Sequence, residues 1–215
     1  MLPTQPDGYF ASPTANKGDA VLVLHAWWGL NATIKAFCDR LADSGFIVFA
    51  PDLYQGKVTD QISEAEVLGA ALDGRVDQVR ADLVKAAHDL KDRAGRSHLS
   101  VVGFSLGAFY ALDLSVNAPD LIESVVLYYG TGPADFTKSK ASYLGHFAEQ
   151  DVYEPPAHVE SLEKALRDAG RPATFYQYRA TGHWFAEPDR ADVYDPIAAN
   201  LAWERTLEFL KTRSG

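Results

Sequence analysis

Three residues of this chain follow one another in an order that suits acyl transfer: Ser105, Asp151 and His183. A serine hydroxyl is a weak nucleophile near neutral pH. It attacks a carbonyl only when a base takes its proton and a third group orients that base. Ser105 lies in Gly103-Phe104-Ser105-Leu106-Gly107, between the apolar, β-branched run from Leu99 and a helix-like run reaching Asn117. Strand, sharp turn and helix form the context in which G-x-S-x-G lifts a serine to the carboxyl end of a sheet. Gly103 and Gly107 suit it because side chains there would collide as strand and helix close together. The helix N-terminus beneath the serine favours developing negative charge. The bland alternative is a glycine-rich strand–helix turn with an incidental serine.

In such a sheet the acid and then the base follow the nucleophile, each after a separate strand. Three histidines lie downstream of Ser105. His146 falls inside a predicted strand, where core packing is its expected role, and His158 falls in the first turn of a polar-faced helix. His183 follows the last predicted strand in Thr181-Gly182-His183-Trp184-Phe185, a loop at the sheet's carboxyl edge, and is the expected base. Asp151 follows the strand before that and is the expected acid. Asp135 is its rival and Glu149 lies close by, whereas Asp189, Asp192 and Asp195 come after the histidine. The oxyanion needs two backbone N–H donors. Leu106, directly after the nucleophile, is one, and Trp27, in the loop after the His25 strand, is the other. His25 itself is expected as a polar wall of the site.

The elements that must position these groups are legible as alternating runs. Strands are predicted at 19–25, 46–50, 99–103, 121–129, 141–148 and 173–179, with a short edge strand near 8–13. Helices are predicted at 31–44, 156–169 and 196–212, and 55–94 reads as a loop followed by one interrupted helix, or two, with the break near Gly69 to Gly74. Alternation of this kind predicts an α/β fold, a mainly parallel sheet with helices on both faces, in one domain over 1–215. The 131–140 segment reads as loop and is too short for a separate lid domain.

Composition narrows the partners. The chain has 215 residues, 47% of them hydrophobic, and a net charge of −9, which argues against nucleic acid or anionic membrane as the main partner. Its one cysteine, Cys38, falls on the apolar stripe of a helix with Ile34, Phe37 and Leu41, and is expected to be buried and inert. The first eight residues carry no basic-then-apolar leader pattern, and no apolar run reaches membrane-spanning length. A cytoplasmic location is expected, as monomer or homodimer. No metal-ligand spacing and no phosphate-cradling glycine motif occurs, so neither metal nor cofactor is expected.

Four places together resemble the dienelactone hydrolase family of α/β-hydrolases: His25-Ala26-Trp27-Trp28-Gly29-Leu30-Asn31, Pro51-Asp52-Leu53-Tyr54, the Gly103–Gly107 turn, and Asp151 followed by Gly182-His183-Trp184-Phe185. The resemblance covers nearly the whole chain and implies the α/β-hydrolase fold. Well-known members open a cyclic enol-lactone with a Cys-His-Asp triad. Here Ser105 stands at the cysteine position, Ala26 where a glutamate assists that cysteine, and Glu187 where an arginine holds the substrate carboxylate. The resemblance thus implies a serine hydrolase of small carboxylic esters or lactones, with Glu187 expected to repel carboxylate-bearing substrates. Trp27, Trp28, Tyr54, Phe104, Tyr153, Trp184 and Phe185 are candidates for an aromatic wall. Of these, Trp28, Tyr54 and Trp184 join His25 and Glu187 as expected substrate-binding residues. A non-catalytic binding protein on the same fold is the second class, and among hydrolases thioester and peptide substrates stay open.

Overall fold

The structure, a computed structural model, describes residues 7–213. The leader expectation falls almost wholly on residues 1–6, outside the described residues. The elements run β1 (Gly8–Ala11), β2 (Ala20–Leu24), α1 (Ala32–Asp43), β3 (Ile47–Pro51), α2 (Ile62–Asp73), α3 (Val76–Ala94), β4 (Leu99–Phe104), α4 (Leu106–Asn117), β5 (Ile122–Tyr128), β6 (Ser142–Gln150), α5 (Pro156–Asp168), β7 (Ala173–Gly182) and α6 (Pro196–Arg213). The strands form one sheet in the order β1-β3-β2-β4-β5-β6-β7. Only the edge strand β1 is antiparallel, to β3; the other five pairings are parallel.

A parallel strand covered on both faces must be apolar throughout, and its alternate residues feed two different cores. β2 does this. Leu22 and Leu24 join Val101, Val125 and Leu127 in a core closed by α3, α4 and α5 (Leu83, Ala111, Leu162). Val21 and Val23 join Val102 and Val126 in a second core closed by α1 and α6 (Ile34, Leu41, Ala202, Leu210). Cys38 lies in that second core, fully buried, and burial pushes its thiol up to about 12. The sheet is therefore sandwiched between helices on both faces, an α/β-hydrolase fold. The 129–141 connection is loop with one short 3₁₀ turn at Phe136–Lys138, so no lid is inserted there.

Local chemistry sets the boundaries. Asn31 caps α1 by accepting from the Ile34 N–H, 3.0 Å away. The long helical region divides at Gly74 and Arg75, and Arg75 reaches back to the Leu53 carbonyl at 2.6 Å. Gly69 remains inside α2 with the Trp27 indole against it. β6 and β7 run two or three residues further than the sequence pattern marks them, to Gln150 and Gly182. That extension delivers Asp151 and His183 directly off the strand ends.

Candidate active site

Ser105 sits between β4 and α4 with φ 50° and ψ −110°, a conformation an L-residue holds only when its surroundings enforce it. Its own N–H is tied to the Tyr128 carbonyl at 2.8 Å. The flanking glycines are demanded by contact. A Cβ on Gly103 would run into the Gly107 carbonyl, and one on Gly107 into the Leu24 carbonyl of β2.

From this turn Ser105 Oγ lies 2.8 Å from His183 Nε2, and His183 Nδ1 lies 2.7 Å from Asp151 Oδ2. Asp151 is itself held, because its Oδ1 accepts from the N–H groups of Tyr153 and Glu154, both at 2.9 Å. The His183 and Asp151 side chains are only 4% and 2% exposed, so their mutual bond is shielded from water. The Tyr129 and Tyr153 rings stand 5.1 Å from the imidazole, on residues of two different loops. The arrangement can deprotonate a hydroxyl and return that proton to a leaving group.

The rivals lie elsewhere. Asp135 is exposed and bonds Thr137 at 2.5 Å, and Glu149 accepts from the Ala180 N–H at 2.8 Å. His146 is buried between the Tyr178 hydroxyl at 2.9 Å and the Thr206 hydroxyl at 3.0 Å. Burial, aided by Arg205, lowers its pKa to about 3, which leaves it a neutral core residue.

Ser105 and His183 open on a cavity of about 210 Å³. Trp27 and Leu106 line it, as do Tyr153 and Trp184 of the expected aromatic wall. Leu106 is the first residue of α4, where a backbone N–H has no partner within the helix. Three lining residues were not singled out from sequence: Phe109, Thr131 and Glu154. Glu154 carries a faint signal, since it follows Asp151 by three positions in the same loop. Thr131 and Phe109 carry none.

Four expected substrate-binding residues lie outside that lining, and each has another task. His25 is fully buried; its Nδ1 donates to the Ala26 carbonyl at 2.7 Å and its Nε2 accepts from the Leu53 N–H at 3.1 Å. It ties the Trp27 loop to the loop after β3 rather than forming a wall. Tyr54 is buried with its ring 5.0 Å from that imidazole. Trp28 is buried between the Trp184 ring at 4.8 Å and the Arg190 guanidinium at 4.0 Å. Phe104 and Phe185 likewise pack in the core.

Glu187 departs furthest from its expected role. It is 0% exposed and accepts the Tyr129 hydroxyl at 2.8 Å, so it stands behind a ring that packs on His183 and does not meet the cavity. Burial raises its pKa from the ordinary 4.5 to about 8, the Tyr129 bond and Arg190 opposing and Asp189 assisting. An arginine there would be a buried cation, not a substrate clamp. The folded state favours the protonated form, so this stabilisation is complete below 4.5 and is lost as pH rises through about 8. The loss amounts to a few kcal/mol, on the order set by about 1.4 kcal/mol per pKa unit. Glu187→Gln keeps the shape and the Tyr129 bond without the ionisation. Thermal denaturation across this window is expected to show a flatter loss of Tm for the variant; parallel curves would refute the burial argument.

The dienelactone hydrolase family matches residues 7–214. The chain belongs to this family. Protein usf of Aquifex pyrophilus is 33% identical over 213 residues, covering 95% of this chain and 92% of usf. A crystal structure from Klebsiella pneumoniae, of a protein assigned as a dienelactone hydrolase, superposes with TM-score 0.83 and 26% identity, covering 98% of this chain and 95% of that one. The dienelactone hydrolase-like promiscuous phosphotriesterase P91 from metagenomic libraries shares the fold, with TM-score 0.84 at 20% identity over 93% of this chain and 88% of its own. Family membership and the Ser105–His183–Asp151 arrangement make the protein a carboxylic ester hydrolase that acts on small esters or lactones by a serine mechanism. Among the described residues, no helix is long and apolar enough to cross a membrane.

Proposed function

We propose that Ser105 Oγ attacks the ester or lactone carbonyl while His183 Nε2 takes its proton. Asp151 holds Nδ1–H toward itself and stabilises the imidazolium that forms. The N–H groups of Leu106 and Trp27 receive the oxyanion, and His183 then protonates the departing alkoxide. Water, deprotonated by the same imidazole, attacks the acyl-enzyme and releases the acid. The observation that carries this reading is the continuous relay of 2.8 Å and 2.7 Å from a serine at the mouth of the cavity.

The small cavity suits compact substrates, and Tyr153 and Trp184 provide apolar wall for an acyl or ring group. We place the whole chain in one catalytic domain, acting as monomer or homodimer. The free, buried Cys38 suits a reducing, cytoplasmic setting.

A fluorophosphonate probe tests the activated serine directly. It is expected to label the purified protein at Ser105 and to be blocked by prior heat denaturation. A panel of short nitrophenyl esters, lactones, thioesters and peptides then sets the class, with esters and lactones expected to lead. A folded protein that neither labels nor turns over any ester would instead be a binding protein on this fold.

A further inference from the structure

The cavity beside Ser105 has a charged wall that does not belong to the triad. Glu154 lines it, and neither lysine nor arginine does. Its carboxylate is fixed: Thr131 N–H donates to Oε1 at 3.2 Å and the Thr131 hydroxyl to Oε2 at 2.7 Å. Its backbone is fixed as well, by the N–H bond to Asp151. His158 Nδ1 stands 3.6 Å from Oε2, on a side chain that is 59% exposed. A carboxylate offers about four lone-pair positions, so these partners leave it capacity to accept from a ligand. Three aromatic rings complete the enclosure. The Tyr153 ring lies 5.9 Å from the Trp27 ring and 4.8 Å from the Trp184 ring. Ring faces attract cations and repel anions. The Arg190 guanidinium, 5.5 Å from the Trp184 ring, does not line the cavity.

We propose that Glu154, with Trp27, Tyr153 and Trp184, forms a cation-accepting subsite, so that the preferred substrates are small esters or lactones bearing an ammonium group. Resting on the ester hydrolase reading above, it names the substrate class for that site. A carboxylate-bearing substrate meets a fixed like charge in a cavity whose lining holds no lysine or arginine to compensate it. An ammonium finds the carboxylate already fixed beside aromatic lining, without an ordering cost for that group. The net charge of −9 adds a longer-range attraction of the same sign.

The test is a triplet of nitrophenyl esters of matched length ending in ammonium, neutral or carboxylate groups. Each charged rate is read relative to the neutral one in the same enzyme. In the wild type at low salt, kcat/KM is expected to favour the ammonium over the carboxylate ester by about 10- to 100-fold. Raising ionic strength from about 0.01 M to about 1 M should shrink that ratio, since the Debye length falls from about 30 Å to about 3 Å. Glu154→Gln should bring the ratio close to the level that salt leaves. A ratio near one in the wild type, or an ammonium preference unchanged in Glu154→Gln, would overturn the proposal. So would a variant that slows all three esters equally, which would mark Glu154 as a mere support for the Asp151 loop. Binding of uncleavable ammonium and carboxylate amide analogues to Ser105→Ala, followed by tryptophan fluorescence, reads the same preference without turnover. It separates failure of the subsite from failure of the ester hydrolase reading.

Discussion

Ser105→Ala is expected to lower kcat for a short nitrophenyl ester by on the order of 10⁵- to 10⁶-fold, the scale on which a hydrolase loses its nucleophile. Nothing else lining the cavity can replace it. The other hydroxyls there are the Tyr153 phenol and that of Thr131, which donates to Glu154. His183→Ala should cost about as much, because the hydroxyl 2.8 Å away would then have no base. The double variant should be no slower than either single one, since the two residues act as a unit. The fold should survive in both. Ser105 is held at φ 50° by its N–H bond to Tyr128 and by the turn itself, neither of which uses the hydroxyl. Steady-state kinetics with thermal denaturation on the same preparations checks all of this. A folded Ser105→Ala protein retaining near wild-type turnover would remove Ser105 from the mechanism.

The second large effect is expected from Asp151→Asn, a loss of about 10²- to 10⁴-fold in kcat. The size follows from which end of the amide faces which partner. Oδ1 of Asp151 accepts two backbone N–H groups, from Tyr153 and Glu154. An asparagine must keep its oxygen there, which turns its NH₂ toward His183 Nδ1. That nitrogen would then have to accept, placing the ring proton on Nε2, the atom that must take the proton from Ser105. The side chains would stay in place while the tautomer became wrong. Asp135→Asn is the control, because that carboxylate is exposed and bonds Thr137. Full activity in Asp151→Asn with loss in Asp135→Asn would transfer the acid role.

Much of this site is legible in the sequence, for definite reasons. The serine turn is a local device, whose two glycines are needed by contacts within a few residues and with one neighbouring strand. The order of serine, aspartate and histidine follows from a sheet in which successive strands deliver their carboxyl ends to one edge. Strand residues such as Val21 and Leu22 announce a doubly covered sheet because both faces must be apolar. Even the division of the 55–94 region was marked by its glycines, although which glycine ended α2 depended on Arg75 finding the Leu53 carbonyl.

Tertiary structure alone decided what the loop side chains do. Sequence placed His25, Trp28, Tyr54 and Glu187 near the triad, because each lies in a loop that follows the carboxyl end of a strand. Which way each side chain turns is set by partners far along the chain: Leu53 for His25, Arg190 and Trp184 for Trp28, and Tyr129 for Glu187. A loop lacks the periodicity that tells an inward residue from an outward one on a strand or helix. Glu187, expected to face a substrate carboxylate, is instead a buried acid favouring its protonated form, while Glu154 faces the cavity because Thr131, from another loop, grips its oxygens. The sequence by itself determined the fold class and a serine–aspartate–histidine order that repeating strand and helix patterns could carry. The charge of the cavity wall was decided by packing between loops, where no local rule points a side chain.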